Sequence, residues 1–274
     1  MSRLPTGRTW SRYVAIGDSF TEGMSDPHPD LPDTYVGWAD RLAVTLDALA
    51  AQAGHGFEYA NLAVRGRTLD DVVGPQLDAA LAMTPDLVSI VGGGNDLLRP
   101  TVDVDDLADR LEAAVVRIRA TGADVLLATP TDPRDAGLFK ALRPRHATHA
   151  ANLFTIADTH GCGVLNLWGL AAIRDWRMWA DDRIHLTSEG HRRVALVALE
   201  ALGHPTDRGD WARPLPPADR ATRREELRAH GEWVRTHLGP WVGRRLRAES
   251  SGDRLGPKRP AATPLRPGSP ARER

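Results

Sequence analysis

Five short apolar runs, each followed by a turn and separated by stretches of helical spacing, constrain this chain more than any other feature. The runs lie at 13–16 (Tyr13-Val14-Ala15-Ile16), 57–62, 86–91, 124–128 and 164–167. Between the first two, apolar residues recur at Val36, Ala39, Leu42, Ala43, Leu46, Leu49 and Ala50, which predicts a helix over 35–53. Leu107, Leu111, Ala114, Val115 and Ile118 share one face of a helix over 104–120. Further helices are expected at 69–83, opened by Thr68 with Asp70 and Asp71 in the first turn, at 145–159, and at 188–202 behind a Thr187 cap. The stretch 169–183 reads as irregular or partly helical. Strands that alternate with helices must run parallel, with helices covering both faces. The expected fold is three-layer α/β/α, with a doubly wound five-stranded parallel sheet in the flavodoxin-like order 2-1-3-4-5.

Such a sheet has a functional edge, because ligands bind beyond the carboxyl ends of its strands. The residues there are informative. The first run stops at Gly17-Asp18-Ser19, which delivers a serine into a turn. The second leads to Gly66, the third to Gly92-Gly93-Gly94-Asn95-Asp96, and the fifth to Asp182-Arg183-Ile184-His185. A serine hydroxyl becomes a nucleophile when a base stands beside it and donors await the oxyanion. Asp182, three residues before His185, can accept from its Nδ1–H on a tight turn and leave Nε2 as the base. The Asn95 amide can donate to an oxyanion, and Gly66 can present a bare backbone N–H to it. Each piece alone also fits a plainer reading. These are a strand-end turn at Ser19, a surface pair at a helix start for Asp182 and His185, turn chemistry at Asn95, and a loop glycine needing positive φ at Gly66. Their arrival on one edge from separate parts of the sequence is the stronger signal.

In this order, Gly-Asp-Ser, a glycine after the second strand, Gly-x-Asn-Asp and Asp-x-x-His resemble the SGNH hydrolases, the GDSL-type esterase/lipase superfamily, over about residues 11–202. The resemblance implies Ser19 as nucleophile, His185 as general base and Asp182 orienting it. It implies an oxyanion hole from the Ser19 N–H, the Gly66 N–H and the Asn95 side chain. Many members carry Asn two residues after the histidine, where this chain has Thr187. Gly-Asp-Ser-Phe-Thr is not the Gly-x-Ser-x-Gly elbow of the α/β-hydrolases. The implied activity is hydrolysis of carboxylic esters with short or acetyl acyl groups through an acyl-enzyme on Ser19, with no metal or cofactor. The same residues would serve a thioesterase or lysophospholipase. A binding protein on this fold, with its basic tail on an anionic partner, is the non-enzymatic alternative, but it has no need of both Ser19 and His185.

Other residues allow two readings. His146 and His149 suggest a metal, or simply solvated helix positions. Trp176 and Trp179 line an acyl or sugar site, or pack beneath the catalytic loop. Arg143 and Arg145 meet an anionic substrate, or are surface charge. The single cysteine, Cys162, reads as a small apolar residue, and no intrachain disulfide can form. A net charge of −1 points to neither nucleic acid nor membrane. No run approaches the ~18 apolar residues of a membrane span, and the first ten residues lack a leader's apolar core. A cytoplasmic setting and a small-molecule ester substrate are expected; oligomeric state is left open. The 274 residues divide into a hydrolase domain over 1–205, a Pro-rich linker and appended helix over 206–242, with the helix at 221–238, and a basic disordered tail over 243–274.

Overall fold

The structure is a computed structural model that describes residues 3–217, 228, 231–233, 235–236 and 252–265. In chain order its elements are β1 (Arg12–Ile16), α1 (Ser19–Glu22), α2 (Gly37–Gln52), β2 (Glu58–Asn61), α3 (Leu69–Asp71), α4 (Leu77–Ala82), β3 (Leu87–Ile90), α5 (Gly94–Leu97), α6 (Val104–Arg119), β4 (Asp124–Ala128), α7 (Arg143–His160), β5 (Gly163–Leu165), α8 (Ser188–Ala201), α9 (Arg208–Trp211) and β6 (Arg259–Pro264). The sheet runs β5-β4-β3-β1-β2-β6. Strands β1 to β5 are parallel and follow the order 2-1-3-4-5, with Tyr13 facing Tyr59 on one side and Leu87 on the other.

Both faces of the sheet are buried, as a parallel sheet requires. Side chains alternate across it. Tyr13 and Ala15 of β1 join Trp38, Leu42 and Leu46 of α2 and Val194 and Ala198 of α8. Val14 and Ile16 join Leu69, Val72, Leu107, Leu111, Val115 and Leu153, from the helices of the other face. Cys162 is buried in this second layer, where burial pushes its thiol up to about 11, so it packs as an apolar residue.

The helix expected at 69–83 is interrupted. Between α3 and α4 the backbone widens into a π turn over Val72–Gln76, with Pro75 inside it. Proline has no N–H to continue the α-helical ladder, and its ring crowds the preceding turn. The interruption has a use: it carries Gln76 to the Gly17 backbone. The Gln76 amide accepts from the Gly17 N–H at 2.8 Å and donates to the Gly17 carbonyl at 2.9 Å.

Two expectations about the C-terminal region need correction. The sheet has a sixth strand, and it comes from the stretch read as a disordered tail. β6 pairs antiparallel with β2, Glu58 opposite Pro264 and Asn61 opposite Arg259. Its sequence, Arg-Pro-Ala-Ala-Thr-Pro, shows no alternation of apolar residues, and its two prolines suit only an edge. Basic side chains anchor it instead. The Lys258 ammonium donates to the carbonyls of Glu22, Tyr35 and Val36 at 2.7–2.9 Å and pairs with Asp40 at 2.7 Å. Arg259 donates from Nε to the Tyr59 carbonyl at 2.7 Å. Part of the stretch read as a linker also packs on the domain, because Trp211 of α9 is buried and its carbonyl accepts from Arg193 of α8. Most of the helix expected at 221–238 lies outside the described residues, as do 243–251 and 266–274 of the tail; residues 231–233 are helical.

Candidate active site

β1 ends at Gly17, and Asp18 caps the short helix α1, accepting from the Phe20 N–H at 3.0 Å. Ser19 is the first residue of α1, where a backbone N–H has no acceptor within the helix. Gly17 has no room for a side chain: a Cβ would fall 2.7 Å from the Thr21 hydroxyl and 2.8 Å from the Val91 carbonyl. A close approach of Gly23 to Gly37 then holds α1 against α2, with a Cβ on either falling about 2.5 Å or less from the other's backbone.

Asn95 lies in α5, which Gly93 opens at φ +87°. The Asn95 Nδ2 donates to the Arg67 carbonyl at 2.9 Å and approaches the Asp18 carboxylate at 3.3 Å. One amide therefore ties together the loops after β1, β2 and β3. Gly66, with φ +75°, sits next to Arg67 in the loop after β2 but is not on the cavity wall described below. Its loop is fixed from the serine's own helix: Glu22 of α1 accepts from the Arg65 N–H at 2.7 Å and from Arg65 Nε at 2.9 Å. The Asp96 carboxylate accepts from the Leu69 N–H at 2.9 Å, anchoring α5 to α3.

The Asp182–His185 turn is built around one carboxylate. Asp182 Oδ1 accepts from the N–H groups of Ile184 and His185 at 2.9 and 3.0 Å, and Oδ2 lies 2.6 Å from His185 Nδ1. Burial pushes the Asp182 carboxyl up. The His185 hydrogen bond and charge, with the two N–H groups, outweigh this and hold it below the usual carboxylate range. An ionised carboxylate can only accept, so Nδ1 carries the proton and the Nε2 lone pair is free for chemistry. Thr187, where many of the resembling sequences carry Asn, caps α8 by accepting from the Gly190 N–H at 3.3 Å.

Ser19, Asn95 and His185 line one cavity of about 230 Å³. Asp182 stands behind His185. Asp18, on the same wall, is buried, and that burial raises its carboxyl to about 6, despite the Phe20 N–H and the His185 charge. The remaining walls are mainly apolar and include Phe20, Leu98, Phe139, Ile173, Trp176 and Trp179. Both tryptophans are therefore wall residues, and Trp179 also donates to the Ile173 carbonyl at 2.7 Å and packs on the core. Phe139, in a short 3-10 helix, and Leu98, in the turn after α5, carried no sequence signal, because neither stretch has apolar periodicity. His146 lines the cavity, whereas His149 is buried rather than solvated, beneath the loop of Gly93. Arg143 is engaged by Asp132 at 2.7 Å, and Arg145 donates to the carbonyls of Leu97, Arg99 and Val102, so both are structural. Among the described residues, no three His, Cys, Asp or Glu side chains cluster as a metal site.

The sequence model of the GDSL-like lipase/acylhydrolase family matches residues 15–193. The chain belongs to this family. This GDSL-like protein is accordingly a carboxylic ester hydrolase, with its motifs on the expected sheet edge. Its fold is similar to that of several solved structures. A structure of TesA is 24% identical, with a TM-score of 0.56, over 70% of this chain and 98% of that one. LAE5, an α/β-hydrolase enzyme from the metagenome of Lake Arreo, Spain, is 23% identical with a TM-score of 0.60, over 74% and 98%. Axe2, an acetylxylan esterase from Geobacillus stearothermophilus, is 21% identical with a TM-score of 0.59, over 78% and 99%. No curated protein sequence matches the chain. Among the described residues, no helix is long and apolar enough to cross a membrane.

Proposed function

We propose that this hydrolase cleaves small carboxylic esters with short acyl groups through an acyl-enzyme on Ser19. The observation that carries the reading is the 2.6 Å contact between Asp182 Oδ2 and His185 Nδ1, on a turn whose imidazole lines the same cavity as Ser19 and Asn95. His185 Nε2 takes the Ser19 proton as Oγ attacks the acyl carbonyl. Asp182 keeps the imidazole in the required tautomer and stabilises the imidazolium that forms. The Ser19 N–H and the Asn95 amide, both on the cavity wall, receive the oxyanion. The imidazolium then protonates the leaving alkoxide, and water, activated by the same base, releases the acid.

Asn95 supplies its donor by a small exchange. Of its two amide protons, one is held by the Arg67 carbonyl, and the other points along the longer 3.3 Å path to Asp18. The weaker contact is the one an oxyanion would replace. At about 230 Å³ the cavity is smaller than the roughly 300–1,000 Å³ of sites for drug-sized ligands, which favours a short acyl chain against the aromatic wall. An acetyl group fits that bound, and Axe2, an acetylxylan esterase, shares the fold.

Fluorophosphonate labelling followed by a series of nitrophenyl esters tests the reading. Label on Ser19 and a kcat/KM that falls as the acyl chain lengthens beyond a few carbons are expected. Label on a different serine would overturn it. A rate that rises with chain length, or a preference for acyl thioesters, would replace the short-acyl assignment with a lysophospholipase or thioesterase.

A further inference from the structure

We propose that Trp233, which lies beyond the family's matched residues, is a positioning residue for the Asp182–His185 turn and so part of the working active site. This rests on the serine-hydrolase reading above. Trp233 is 5% exposed, and its indole Nε1–H donates to the Asp182 backbone carbonyl at 2.9 Å. That bond reaches the one residue whose side chain builds the turn and holds the imidazole.

The next residue shows why the turn needs outside support. Arg183 has φ +55°, in the left-handed region that is costly for any residue with a Cβ. Glycine or asparagine is the usual occupant of such a position. Here the guanidinium lies between two aromatic faces, 5.2 Å from the Trp233 ring centre and 5.3 Å from that of Trp176. Phe139 meets Trp233 edge-on, with centroids 6.1 Å apart and planes at 78°. The strained residue is thus clamped from one side by the catalytic domain and from the other by the C-terminal segment. Phe139, Trp176 and Arg183 also stand between the catalytic cavity and a second cavity of about 130 Å³, whose wall includes Trp233. Removing the indole would loosen the turn and enlarge the second cavity.

The test compares Trp233→Phe and Trp233→Ala in the full chain, alone and combined with Asp182→Ala. Phenylalanine retains a ring against Arg183 but cannot donate to the Asp182 carbonyl. We expect it to lower kcat on nitrophenyl acetate about three- to ten-fold, the range for one lost hydrogen bond. Alanine should lower kcat about 30- to 100-fold, the scale of an ångström-sized misplacement of a catalytic group. KM for this smallest ester should stay within about two-fold, because the ester does not touch Trp233. In the Asp182→Ala background, Trp233→Ala should add less than about two-fold, since the carboxylate it positions is already gone. Wild-type kcat in both single variants overturns the inference. So does an equal loss with and without Asp182, which would make Trp233 merely structural. Fluorophosphonate separates the two layers of argument. Label on Ser19 with unchanged Trp233 variants overturns only the positioning role. An unlabelled wild type overturns the serine reading and this inference with it.

Discussion

Replacing Asp18 with asparagine should make the protein more stable at neutral pH and less active, and the pH dependence of the stability gain identifies the cause. Asp18 is buried beside Ser19, the proposed nucleophile, and its carboxyl is raised from 3.8 to about 6. A carboxyl raised in this way holds its proton more tightly in the folded state than in the unfolded one. Stability therefore falls as pH rises from near 3.8 to about 6, then levels off. Each pKa unit is worth about 1.4 kcal/mol, so the ionised side chain costs at most about 3 kcal/mol above pH 6. The substituted asparagine does not titrate and can still cap the Phe20 N–H through its carbonyl oxygen. Its amide nitrogen then faces Asn95 Nδ2, a donor against a donor, so the proposed oxyanion donor is displaced and kcat should fall. The assay is urea unfolding of wild type and Asp18→Asn at several pH values from about 4 to about 8. The variant's advantage in unfolding free energy should grow across the range in which Asp18 ionises, toward about 3 kcal/mol at the upper bound. A stability difference that stays flat over that whole range would show that the Asp18 carboxylate is not strained by burial.

Three further outcomes follow from the geometry. Ser19→Ala and His185→Ala should each nearly abolish hydrolysis, with the double variant little worse than either, while Asp182→Ala hurts less; steady-state kinetics with independent losses at the two sites would argue against a single catalytic unit. Asn95→Ala should lower kcat on the order of 10²-fold with a much smaller change in KM, and an unchanged kcat would remove Asn95 from the oxyanion hole. Lys258→Met should cost about 1.5–3 kcal/mol, because it strips Asp40 and three backbone carbonyls of a half-buried cation. A melting temperature within about 2 °C of wild type would detach β6 from the stability of the domain.

The layered sheet was legible because its signal is redundant. Each of the five parallel strands is an apolar run bounded by turn residues, and each neighbouring helix repeats its own stripe, so several independent stretches agree on one topology. The edge residues Ser19, Asn95 and His185 then shared a cavity because the fold rule, rather than any single motif, sends those loops to the same place. Other features lacked any such repetition. Pro75 was visible, but its effect on the backbone depends on Gln76 finding the Gly17 peptide, a contact across 59 residues of sequence. His149 sits on a helix that carries only a weak apolar stripe, and its burial comes from the packing of the glycine loop above it.

β6 shows most clearly why composition misled. A chain segment rich in Arg, Pro and Gly cannot build a core of its own, and disorder is the correct inference when no partner is available. Here the partner already exists. β2 offers an unpaired edge, and the carbonyls of Glu22, Tyr35 and Val36 converge near the Asp40 carboxylate, leaving a site that needs a cation. Lys258 fills it, and the two prolines are tolerated because nothing has to pair with the outer side of an edge strand. The same segment reaches the loop after β2, since Gly252 packs so tightly on Arg65 that a Cβ would fall 2.1 Å from its carbonyl oxygen. Together with Trp233 at the Asp182 carbonyl, the residues after the family's core contact two of the loops that hold the proposed chemistry. Among the described residues there, Trp233, Lys258 and Arg259 are held by hydrogen bonds and charge on an existing domain, which hydropathy does not record.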